Sequence, residues 1–117
     1  MNTNTECNIL ADTFESVRAL TKSFLSRVDK SEINDTPIIN GVELNSPYWI
    51  TAHLAWAEAF LILNTFGGDV NDNYDWLNEY GFGTKSAQIK TRPPYDDVLK
   101  TLDDIHEKSM KQLRETQ

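Results

Sequence analysis

Basic residues are scarce in this chain: 11 Lys and Arg stand against 18 Asp and Glu over 117 residues, a net charge of -7. Such a surface repels phosphate backbones and anionic lipid, so nucleic acid and membrane surfaces are excluded as main partners. Cysteine is scarcer still. Cys7 is the single one, which excludes an intrachain disulfide and makes a reducing, cytoplasmic setting the expectation. Cys7 lies near a terminus and reads as a small bland residue. The segment from Met1 to Glu6 has neither the basic start nor the apolar run of a secretion signal. Histidine occurs twice, at His53 and His106, and no His-x-x-x-His or Cys-x-x-Cys pair exists. Spacing alone therefore composes no metal centre. A Gly-rich phosphate loop, a Ser/His/Asp order and a paired-carboxylate signature are missing too, so no reaction is legible from motifs.

What is present is helix. The stretch from Asn45 to Gly68 carries its own boundaries: Ser46 is a good N-cap acceptor, Pro47 suits the first helical position, and Gly67 can take the left-handed conformation that ends a helix. Between Tyr48 and Phe66, 14 of 19 positions are apolar, long enough to raise the question of a membrane span. His53 and Glu58 answer it, because each would sit near mid-bilayer at a cost of a few kcal/mol. A helix buried in a bundle is expected instead.

A first helix is predicted from about Asn8 to Val28, where Leu10, Phe14, Val17, Leu20, Phe24 and Val28 recur at gaps of three or four. This stripe should contact the core. Asp29 to Asn45 reads as an ordered loop, its Pro-Ile-Ile and Val-Glu-Leu pieces too brief for strands. Asp69 to Pro94 is a long connection whose Trp76, Leu77, Tyr80 and Phe82 should cover one end of the bundle, with a helical turn around Tyr74 to Tyr80. After Pro93 and Pro94 a third helix begins, with Asp96 and Asp97 at the positive end of its dipole. Val98, Leu99, Leu102, Ile105, Met110 and Leu113 form its buried face.

Two polar residues of the second helix matter for function. At about 100° per residue, Trp49, His53, Ala57, Phe60 and Asn64 fall near one line, so His53 is expected to face inward, where its ring nitrogens need partners. A hydrogen-bonded core histidine and a metal ligand are both compatible with that. Glu58 lies about 140° from His53, too far round for an acid/base pair, and is assigned to the polar stripe. His106 on the third helix is expected to be structural or at the surface.

Three segments together resemble the DinB-like superfamily of helical bundles: Asn45-Ser-Pro-Tyr-Trp-Ile-x-x-His-Leu-Ala-Trp-Ala-Glu58, Trp76-Leu-x-x-Tyr-Gly-Phe-Gly-Thr84, and Pro94-Tyr-Asp-Asp-Val-Leu-x-x-Leu-Asp-x-Ile-His-Glu107. The resemblance implies an all-α up-down bundle of four helices and a divalent metal, zinc or nickel, held by three histidines. One of these comes from the second helix and a pair from the fourth. His53 matches the first. Gln117 falls at the end of the third helix, so residues 1–117 are expected to form a single DinB-like domain lacking its C-terminal helix.

Three helices with apolar stripes would leave a groove where a fourth should lie, and such a surface normally signals association. The expected occupant is a second copy of the chain, as a twofold dimer, or an amphipathic partner helix; the alternative is that these residues are a piece of a longer protein. The leading expectation is a DinB-like bundle of unassigned activity with a partial divalent-metal site at His53. The alternatives are a metal-dependent thiol S-transferase and a helix-groove interaction module.

Overall fold

The computed structural model describes residues 5–68 and 72–116. Helix α1 spans Thr5–Leu25, α2 spans Pro47–Ala57 and continues through a π-helical stretch, Glu58–Leu63, and α3 spans Tyr95–Glu115. Two short strands, β1 (Ile38–Ile39) and β2 (Val42–Glu43), and a 3₁₀ segment, Asp72–Tyr80, lie in the connections. The all-α class and the three long helices are as the sequence predicts, with α1 beginning and ending about three residues earlier.

Helix α2 starts where its local chemistry dictates. The Ser46 hydroxyl accepts from the Trp49 amide at 3.1 Å, and Pro47 occupies the first turn. Gly67, with φ 84°, ends the segment. The π-helical stretch widens the last turns of α2, a local departure that recurs at functional positions.

The loop expected over residues 29–45 contains an antiparallel hairpin, pairing Ile38 with Glu43 and Ile39 with Val42. Its turn is Asn40-Gly41, both at positive φ, 52° and 79°. That dipeptide suits the two-residue turn whose twist matches the strands, which is why two-residue strands suffice.

Helix α3 packs against both other helices. Its direction follows from its contacts. Thr51, Glu58 and Phe66 of the α2 segment meet Tyr95, His106 and Gln112 in ascending order, so α2 and α3 run parallel. On the other side, Asp12 meets Arg114 and Lys22 meets Asp103, so α1 runs antiparallel to α3. A parallel α2–α3 pair requires the long connection between them to return along the bundle. Its 3₁₀ segment packs on α2, with Leu77 and Tyr80 fully buried.

The main core joins α2, α3 and this segment through Tyr48, Ala52, Ala55, Ala59, Leu77, Tyr80, Val98, Leu102 and Ile105. A smaller cluster ties α1 to α3 through Ala11, Met110 and Leu113, with Cys7, Phe14 and Phe66 against it. The apolar stripe expected to bury α1 is corrected here. Leu10, Val17, Leu20 and Phe24 are 40–59 % exposed. The seam turned toward the bundle is Cys7, Ala11, Phe14, Arg18, Thr21 and Leu25, spaced by threes and fours but less apolar. Helix α1 thus has two seams, and the greasier one faces out.

Candidate functional site

An apolar trough of about 260 Å³ runs between α1 and α2, walled by Phe14, Val17 and Thr21 on one side and Leu54, Ala57, Leu61 and Ile62 on the other. Arg18, Glu58 and His106 also line it, one from each helix.

At the base of the trough Glu58 gathers three donors. Arg18 Nη2 donates to Oε2 at 2.6 Å, while His106 Nδ1 and Ser109 Oγ donate to Oε1 at 2.7 and 2.5 Å. The Glu58 side chain is 7 % exposed and that of Arg18 13 %. Assigning Glu58 to a solvated stripe is therefore corrected: the angle that separates it from His53 aims it at α1 and α3. Burial by itself pushes the Glu58 carboxyl up. The hydrogen bonds from His106 and Ser109 and the charge of Arg18 outweigh it, so the group titrates below the ordinary glutamate value. Arg18 Nε is buried with no acceptor among the described residues.

His53 lies on a different flank of α2 and faces the returning connection, half-buried. Its ring stacks on Trp49 at 4.5 Å between centroids and on Trp56 at 5.5 Å, with Phe82 edge-on at 5.5 Å. Both indoles are pinned in turn, Trp49 Nε1 to Thr84 Oγ1 at 3.1 Å and Trp56 Nε1 to Asn78 Oδ1 at 3.2 Å. His53 Nδ1 lies 2.6 Å from the Tyr80 carbonyl oxygen. A carbonyl can only accept, so Nδ1 carries the proton and Nε2 keeps its lone pair in the neutral ring. Metal-binding imidazoles are oriented by the same kind of second hydrogen bond.

The donor set stops there. Among the described residues no group of three or more His, Cys, Asp and Glu side chains comes together to hold an ion, and His106 is engaged with Glu58 on the trough side. His53 and His106 are each held through Nδ1, but they lie on different flanks of α2, so the described residues do not make up a metal centre. Among these residues, no helix is long and apolar enough to cross a membrane.

Three long helices with α3 packed on both others, a returning connection laid on α2, and an α2 imidazole held by that connection define a DinB-like helical domain. The chain belongs to the DinB superfamily, whose family model matches residues 13–117. Among curated proteins and among solved structures nothing matches.

Proposed function

We propose that this DinB-superfamily chain works by self-association, its trough between α1 and α2 receiving a helix of a second copy. The observation that carries this is the outward-facing seam of α1 together with Ile50 and Leu61 of α2, all two-fifths exposed or more; Val17 and Leu61 also wall the trough itself. Burying what remains open of these side chains contributes on the order of 1 kcal/mol each. Association costs roughly 4–15 kcal/mol, so two symmetric sets of such contacts are needed, as a twofold dimer provides. Sedimentation velocity between about 1 and 100 µM should give a mass of two 13.4 kDa chains. Leu61→Glu should return it to one chain with unchanged helical circular dichroism. A wild type that stays a single chain throughout that range overturns the proposal.

The His53–Tyr80 hydrogen bond favours a second reading, in which Nε2 supplies one ligand to a divalent ion, zinc or nickel, with the remaining positions filled from outside the described residues. Such a site is weak and exchangeable. Calorimetric titration with either metal should give about one site per chain, lost in His53→Ala and kept in His106→Ala. Equal, negligible heats from wild type and His53→Ala end this reading. The thiol S-transferase activity that the family resemblance implies requires a complete centre.

A further inference from the structure

Resting on the self-association reading, we propose that the outer seam of α1 meets the same seam of the partner's α1, antiparallel about a twofold axis at Val17, the seam residue that also walls the trough. Leu10, Val17 and Phe24 recur every seven residues and, at about 100° per residue, lie within about 40° of one another. A sustained seven-residue recurrence is what two helices need to stay in contact along their lengths. This seam is centred on Val17, with Leu10 and Phe24 placed seven residues to either side.

Charge selects the orientation. Glu6 is exposed in the first turn of α1, at the outer end of the seam beside Leu10. At the opposite end Arg27 follows the helix, its guanidinium carbon 5.6 Å from the centre of the Phe24 ring. Glu6 and Arg27 stand eleven and ten residues from Val17, so an antiparallel copy brings Glu6 next to the partner's Arg27, twice per dimer. A parallel copy would set Glu6 against Glu6 and Arg27 against Arg27. In the antiparallel arrangement the small central residue meets itself, and Leu10 meets the partner's Phe24.

Two experiments on the full chain test the register. In a Cys7→Ala background, Val17→Cys should cross-link into a covalent dimer on mild oxidation, because the two copies of this position face each other at the axis. Ser23→Cys, about 120° round α1 from Val17, should stay uncross-linked. Glu6→Arg and Arg27→Glu should each weaken the dimer about tenfold, since each places like charges together at two symmetric sites. The double variant should return to within about twofold of wild type. All four positions are exposed, so circular dichroism should be unchanged. A wild-type dimer that ignores the single swaps, or that weakens further in the double variant, overturns the register and leaves self-association standing. A wild type with the mass of one chain overturns both.

Discussion

Glu58→Ala is expected to destabilise the chain by about 3–5 kcal/mol, the usual cost of removing one partner from a buried ion pair. The substitution leaves Arg18 charged and mostly buried, and strands the His106 and Ser109 donors that Glu58 satisfied. Against a total stability of roughly 5–15 kcal/mol for a domain of this kind, the loss should appear as a large fall in the urea midpoint. Glu58→Gln, which keeps an acceptor but not the charge, should cost less. A midpoint for Glu58→Ala within error of wild type would mean the cluster contributes nothing net. The same group fixes an acid limit. Its folded-state titration lies below its unfolded-state value, so the stabilisation is fully present above about pH 4.5 and is lost as pH falls through the lower, folded value. Glu58→Gln should flatten that part of the stability–pH curve.

The second large effect is a contrast between two leucines. Leu102 is fully buried where α3 meets α2, and Leu102→Ala is expected to cost about 2–5 kcal/mol from lost burial and the cavity left behind. Leu20 is 59 % exposed, and Leu20→Ala should change the unfolding free energy of the single chain by less than about 0.5 kcal/mol. The two can be compared by urea unfolding at a concentration low enough to keep the chain monomeric. A Leu20→Ala loss as large as that of Leu102→Ala would mean that the outer seam of α1 is packed within the chain.

That contrast marks where sequence reading succeeds and where it fails. Ser46, Pro47 and Gly67 write the ends of the α2 segment into neighbouring residues, and the face of α3 from Val98 to Leu113 shows a clean helical period. Each of these features is local. Helix α1 is ambiguous because it carries two seams of similar spacing, and a rule that follows apolarity picks the one facing out. The buried seam contains Ala11, Thr21 and Arg18, and its signal is an arginine placed four residues after Phe14 and seven before Leu25. Glu58 was illegible for a related reason. A carboxylate in sequence reads as solvated, and only the packing of three separate elements supplies the donors that let it stay charged inside. The hairpin was signalled by Asn40-Gly41, but strands of two residues leave no alternating pattern to go with it. For the candidate site, the helix position of His53 was legible; the Tyr80 carbonyl that orients its ring is a backbone atom and carries no residue signature.

The stacking of His53 between Trp49 and Trp56 gives the chain a built-in optical reporter. Indole emission is quenched when a contacting imidazole becomes cationic, and responds when that ring is alkylated or coordinated. Two of the three tryptophans therefore watch one nitrogen, so events at His53 can be followed by intrinsic fluorescence without any label.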